Sequence, residues 1–249
     1  MILCLETATP TCSVALNMGI KNLALRECQG QNAHSEKITI FIKEVMDELK
    51  LEYHDLDAVA VSQGPGSYTG LRIGVSTAKG VCYAAGLPLM AIDTLHAMAY
   101  GMRDRLGAEL QPNDVLVPMI DARRMEVYCA AFDADMNRLQ DTQAVVFEVE
   151  SGKLNGAALN EAERVKVESG KFSISSRRLW LFGDGAPKLK TVFQDYPEVR
   201  IVDDFAPSAA YMASLADQAL KESRFVDVAY FEPFYLKDFV AGKPHVKGL

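Results

Sequence analysis

Twelve residues, Gln63-Gly-Pro-Gly-Ser-Tyr-Thr-Gly-Leu-Arg-Ile-Gly74, hold four glycines and a proline between an apolar run and a run of helical period. Glycines let backbone N–H groups approach a ligand, and a helix start carries partial positive charge, so an anion such as phosphate suits this turn. A tight strand-to-helix connection that binds nothing suits it equally. It is not a P-loop, since GxxxxGK followed by Ser or Thr occurs nowhere. Two other turns, Glu6–Thr11 and Gly183–Ala186, raise the same choice between phosphate site and plain connection. The candidate phosphate-facing set is therefore Glu6, Thr7, Gly64, Gly66, Ser67, Gly183 and Gly185. His34, His54, His96 and His245 form no i, i+4 pair, and GxSxG and HExxH are absent, so neither a metal site nor a catalytic residue is expected. Ser67 has no neighbouring base in sequence. Asp121-Ala-Arg-Arg124 reads either as a cleft-facing group or as a polar hairpin turn.

The elements that must position these residues follow from periodicity. Ile2–Thr7, Ser13–Met18 and Asn22–Cys28 read as a strand meander, broken around Pro10 and Gly19. From Ser35 to Leu51, Ile38, Phe41, Ile42, Val45, Met46 and Leu49 recur at three- and four-residue steps, which predicts an amphipathic helix. A strand at Ala58–Ser62 feeds the glycine-rich turn and then a helix to Ala85. A strand at Leu87–Ile92 and a helix from Asp93 or Thr94 to Met102 close the first set. Strands then restart at Val115–Ile120, Glu126–Phe132, Ala144–Val149 and Leu179–Phe182, with helices at Ala186–Phe193 and Ser208–Leu220. Residues 151–177 are polar and weakly patterned. This order predicts an α/β protein with two ribonuclease-H-like lobes, at residues 1–104 and 105–249, the last helix able to pack back on the first lobe.

The helix after the glycine-rich turn carries Gly70, Gly74, Ser76, Thr77, Ala78, Gly80, Ala84 and Ala85. Glycine inside a helix costs about 1 kcal/mol against alanine, so close approach of another element is implied. That element is either internal or a second subunit.

The chain's 249 residues exceed the roughly 100–150 of one compact domain, as two lobes require. Hydrophobic residues at 49% and charged ones at 24% describe an ordinary soluble protein. With 26 basic and 33 acidic residues, the net charge of −7 opposes nucleic-acid binding by the whole surface. A local patch of Arg72, Lys79, Arg123, Arg124, Arg177 and Arg178 is the alternative. The five cysteines form no CxxC pair and lie mostly in apolar runs, which predicts reduced core thiols. The N-terminus has no signal-peptide pattern and no run of about 18 apolar residues occurs, so a cytoplasmic protein without membrane contact is expected.

The segments ILCLETATPTCSVAL, HSEKITIFIKEVM, GPGSYTGLRIGVSTAKGVCYA, MIDARRMEVYCAAF and EPFYLK together resemble the TsaB (YeaZ) family of bacterial tRNA threonylcarbamoyladenosine biosynthesis. The resemblance covers the first lobe and recurs to the end. It implies the actin/Hsp70/sugar-kinase fold group and a non-catalytic paralogue of TsaD, a group once labelled peptidase M22. The catalytic paralogue carries an HxxxH metal pair. Thr94 and Met98 stand there in this chain, leaving His96 out of phase. The implied function is an accessory scaffold that pairs with and activates TsaD and joins the P-loop ATPase TsaE. Homodimers are implied when TsaD is absent, and tRNA is met only indirectly. The implied partner-binding residues are Ile38, Phe41, Ile42, Val45, Leu71, Gly74, Val75, Ala78, Val81 and Cys82. ATP or ADP is implied only within the complex. Glu6 stands where many relatives have Asp, and Lys237 where the tail often has Arg. An ATP-binding phosphotransferase or hydrolase of the same fold is the alternative.

Overall fold

The computed structural model describes residues 1–30, 32–150, 153–155 and 178–237. β1 (Ile2–Glu6), β2 (Thr11–Met18) and β3 (Lys21–Gln29) form an antiparallel meander. α1 (Ala33–Glu48), β4 (Ala58–Gly64), α2 (Tyr68–Ala85), β5 (Leu89–Asp93) and α3 (Thr94–Leu106) follow. The sheet order is β3-β2-β1-β4-β5, with β4 parallel to both β1 and β5. β1 reads as an unbroken apolar run because both its faces are covered. On one face Leu3, Leu5, Val14 and Val59 meet Ile38, Ile42 and Val45 of α1 and Val75 and Ala78 of α2.

The second sheet uses β6 (Val115–Asp121), β7 (Glu126–Asp133), β8 (Arg138–Val146), β11 (Leu179–Phe182) and β12 (Val199–Val202). A small hairpin of β9 (Glu148–Glu150) and β10 (Lys153–Asn155) interrupts the series. The order is β12-β11-β6-β7-β8. β6, β7 and β8 are antiparallel, and β11 is parallel to β6 and β12. Renumbered within its own set, this sheet repeats the order and strand directions of the first. The protein is thus an α/β structure in which two five-stranded mixed sheets of the same ribonuclease-H-like topology are built in succession.

The chain then returns to the first sheet. A 3-10 turn (Ala209–Met212) and α4 (Ala213–Lys221) bury Ala209, Met212, Leu215, Ala216 and Ala219 against Ile2, Cys4, Ala15 and Met90. The Ala209 N–H donates to buried Ser13 Oγ at 2.8 Å. Residues 226–237 then run along α2 as a strap. The Val226 N–H donates to the Leu89 carbonyl at 2.9 Å, and the Phe234 N–H to that of Gln63 at 2.7 Å. Lys79 Nζ donates to the Ala229 carbonyl at 3.0 Å.

Several elements differ from the sequence expectation. β12 was not anticipated, since Val199-Arg-Ile-Val202 is too short to show alternation. β8 begins at Arg138 rather than Ala144 because its polar residues lie on an edge strand, where one side meets water. The helix expected at Ala186–Phe193 is only a 3-10 turn, Pro187–Leu189. The one at Ser208–Leu220 is split between 3-10 and α geometry. Most of the segment 151–177 lies outside the described residues, as does Arg177. Among the described residues no helix is long and apolar enough to cross a membrane.

Candidate functional site

The turn after β1 and the connector from β4 to α2 lock together. The Thr7 N–H donates to Ser62 Oγ at 3.2 Å, and the Ala8 N–H to Glu6 Oε1 at 2.5 Å. The Ser67 N–H donates to the Ala8 carbonyl at 2.7 Å, while Ser67 Oγ accepts from the Gly70 N–H at 3.2 Å and so caps α2. Gly66, Gly70 and Gly74 form one bare strip. A Cβ on Gly66 would lie 2.2 Å from the Ala8 carbonyl oxygen. One on Gly70 would lie 2.2 Å from the Thr7 carbonyl oxygen, and one on Gly74 2.2 Å from Thr7 Oγ1. These glycines exist for backbone contact. Glu6 is buried beneath them, and burial pushes its pKa up from 4.5 to about 7, against the opposing pull of its bonds to Ala8, Ser62 and Thr7.

The candidate phosphate-facing set therefore divides. Glu6, Thr7, Gly64, Gly66 and Ser67 come together; the N–H groups of Thr7, Gly64 and Ser67 are bonded within the chain, that of Gly64 to Thr94 Oγ1 at 3.2 Å, while the buried Thr7 Oγ1 has no partner among the described residues. Gly183 and Gly185 sit in the second lobe, packed on Met119 and Ile120, and the Gly185 N–H donates to the Met119 carbonyl at 3.1 Å. Between the lobes lies a cavity of about 400 Å³ where Thr9, Thr11 and Gln29 face Asp184, Asp203 and Asp204. Among the described residues no lysine or arginine lines it. Its three carboxylates make the cavity acidic, with Asp203 paired to Lys190 at 2.6 Å.

The positions that match the paralogue's metal pair carry packing instead. Thr94 is buried and holds Gly64, and Met98 is buried against Gly183. His96 stacks on Phe132 at 4.7 Å, and its Nε2 lies 3.2 Å from the Met136 carbonyl oxygen. Burial holds its pKa below the ordinary value.

The residues expected to bind a partner face inward instead. Ile38, Ile42, Val45, Leu71, Val75, Ala78 and Cys82 are buried in the lobe's own core, and Gly74 is buried on Thr7. Phe41 and Val81 are half-buried against the same core. The helical period marks the side of a helix that its own sheet covers, so the apolar stripe reports the internal face. The opposite side of α2 presents Ser76, Gly80, Tyr83 and Ala84, with Tyr83 87% exposed. Gly80 lies mid-helix with nothing within 4 Å of where its Cβ would stand. The adjacent α1 adds exposed Ile40. Neither composition nor periodicity singles out this side; the unexplained helical glycine was its one signal.

Three described members of the basic set, Arg72, Lys79 and Arg178, are engaged by partners within the chain. Arg178 grips Asp114, with Nε at 3.0 Å and Nη2 at 2.6 Å. Lys79 is turned to the strap. Arg72 lies over the Tyr68 ring at 4.1 Å and donates to the Tyr235 hydroxyl at 3.3 Å. Arg123 and Arg124 form the β6–β7 turn with left-handed φ of 71° and 50°. Beside them Lys188 pairs with Asp121, and Lys237 with Glu126.

The family model for TsaD, tRNA N6-adenosine threonylcarbamoyltransferase, matches residues 29–244. The TsaB protein of Escherichia coli is 32% identical, covering 97% of this chain and 96% of its own length. That of Haemophilus influenzae is 30% identical, over 97% and 95%. A crystal structure from Pseudomonas aeruginosa, described as similar to peptidase YEAZ, superposes with a TM-score of 0.71 at 24% identity, covering 95% of this chain and 99% of that one.

Proposed function

Because the chain belongs to the TsaB family of tRNA threonylcarbamoyladenosine biosynthesis proteins, we propose that it is a non-catalytic accessory subunit of threonylcarbamoyl transfer. It pairs with the TsaD-type catalytic subunit and activates it, while the transfer to adenosine beside the tRNA anticodon takes place on that subunit. Residues 1–104 supply the docking lobe and 105–249 the second lobe. Gly80 carries the reading. A helical glycine costs about 1 kcal/mol relative to alanine, and among the described residues nothing approaches it closely enough to require one. A helix backbone of a partner laid across Ser76, Gly80 and Ala84 would require it. Exposed Tyr83 on the same side of α2 would serve as an apolar anchor. A second copy of the chain occupies the same face when the catalytic subunit is absent. The TsaE-type ATPase joins the pair, any ATP or ADP is bound only within that assembly, and the whole operates in the cytoplasm.

The acidic interlobe cavity supports leaving nucleotide chemistry to the partners. Reconstitution tests the proposal: threonylcarbamoyl adenylate, tRNA and the TsaD-type subunit are assayed with and without this chain. Modified tRNA should form efficiently only with both proteins, and this chain alone should form none. Transfer by this chain alone would overturn the accessory role.

A further inference from the structure

Cys12 and Cys28 stand directly opposite each other on β2 and β3. Opposed residues of an antiparallel pair share a face, with Cα atoms about 4.5 or 5.5 Å apart according to the hydrogen-bond pattern. Both separations fall within the roughly 4.4–6.8 Å over which a disulfide closes. The two side chains reach the same apolar cluster beneath α1. They also sense each other: burial first, then the neighbouring Cys28, pushes the Cys12 thiol up to about 12. β3 is an edge strand, so Cys28 is half-buried while Cys12 is fully enclosed.

The other cysteines act as internal contrasts. Cys4 faces Ala15 across the sheet and accepts from Asn17 Nδ2 at 3.2 Å. Cys82 lies on α2 with its sulfur 3.7 Å from the Pro88 carbonyl oxygen. Cys129 faces Met119 on one side and Gln143 on the other. Only Cys12 and Cys28 combine a facing thiol with a route to solvent.

We propose that Cys12 and Cys28 form a reversible dithiol–disulfide pair, oxidised by low-molecular-weight disulfides such as oxidised glutathione. Cys28 loses its proton to solvent, and its thiolate attacks one sulfur of the reagent. The reagent's S–S bond breaks, and its other half leaves as a thiolate that takes up a proton. The Cys12 sulfur then attacks the Cys28 sulfur of the mixed disulfide. Its proton passes to the second departing half. Two protein thiols thereby lose two electrons and two hydrogens, and the reagent is reduced to two thiols. The enclosed Cys12 is the slower partner, so closure follows capture. Since Gln29 and Gly30 lead from Cys28 to α1, the bond would tie that helix's entry to β2. The assignment does not depend on what α1 or α2 binds.

The full chain, reduced and then treated with oxidised glutathione, is examined by intact mass and by non-reducing tryptic mapping. Wild type should lose two hydrogens and yield a link between the peptide Met1–Lys21 and the peptide Glu27–Lys37, with fragmentation placing it on Cys12 rather than Cys4. Dithiothreitol should reverse it. Cys12→Ala should stop at a stable glutathione adduct on Cys28, and Cys28→Ser should give neither adduct nor link. Circular dichroism checks that each variant folds; if Cys12→Ala does not, wild type and Cys28→Ser still decide. An adduct on Cys28 that persists in wild type, a link through Cys4, Cys82 or Cys129, or no reaction at all overturns the proposal.

Discussion

Gly74 of α2 rests on Thr7 of the turn after β1, so closely that a Cβ on the glycine would stand 2.2 Å from Thr7 Oγ1. At Gly80, six residues along the same helix, a Cβ would meet nothing within 4 Å among the described residues. One helix therefore carries glycines of opposite meaning. Gly74→Ala should destabilise the isolated chain by about 1–3 kcal/mol, the range for overpacking a tight contact. Gly80→Ala should stabilise it by about 1 kcal/mol through helix propensity. Urea denaturation of both variants checks the pair, and equal effects would mean that the two glycines play the same part.

Glu6 gives the fold a pH dependence. Its folded pKa of about 7 lies above the ordinary 4.5, so the folded state holds the proton more tightly than the unfolded chain. The associated stability is complete below about pH 4.5 and is lost as pH rises through 7. Glu6→Gln keeps an acceptor for the Ala8 N–H but cannot ionise. Relative to wild type it should gain roughly 3 kcal/mol on going from pH 4 to pH 8. A constant difference between wild type and Glu6→Gln across that range contradicts the burial account.

Arg178 belongs to the fold and not to an RNA surface. It and the Trp180 indole, whose Nε1 donates at 2.9 Å, hold the buried Asp114 carboxylate. Arg178→Ala should cost about 2–3 kcal/mol in thermal or urea unfolding, the range for losing hydrogen bonds to a charged group. Affinity for tRNA, titrated at two salt concentrations, should not change between the folded proteins. A selective loss of RNA binding with stability intact contradicts this assignment.

The acidic cleft predicts a negative result with a clear opposite. Calorimetry of Mg-ATP against the isolated chain should give no saturable heat, and no phosphate should be released. Saturable micromolar binding with turnover would restore the phosphotransferase reading.

Much of the architecture was legible because buried strands such as Ile2–Glu6 and amphipathic helices such as Ala33–Glu48 write their burial into hydrophobic period. The duplication was legible in element order, and both sheets repeat it. What escaped was what period does not record. Val199–Val202 is too short, and the helical spacing of Ala186–Phe193 is met by a single 3-10 turn, Pro187–Leu189. Ile38, Leu71 and Val75 stand out in sequence because their own sheet buries them, whereas the exposed side of α2 with Ser76, Gly80 and Ala84, the docking face proposed above, has no hydrophobic signature. For the phosphate-facing set, sequence reveals the glycines but not that the N–H groups of Thr7, Gly64 and Ser67 are bonded within the chain.

Docking through the exposed side of α2 is tested most directly by measuring affinity for the TsaD-type subunit of the same cell with Gly80→Arg. A Cβ there would meet no atom of the described residues within 4 Å, so the variant should fold with near wild-type stability, unlike Gly74→Arg, which would strike Thr7. The account predicts that folded Gly80→Arg binds the subunit at least about 100-fold more weakly, the scale of a lost hot-spot contact. Unchanged affinity in that folded variant would contradict it.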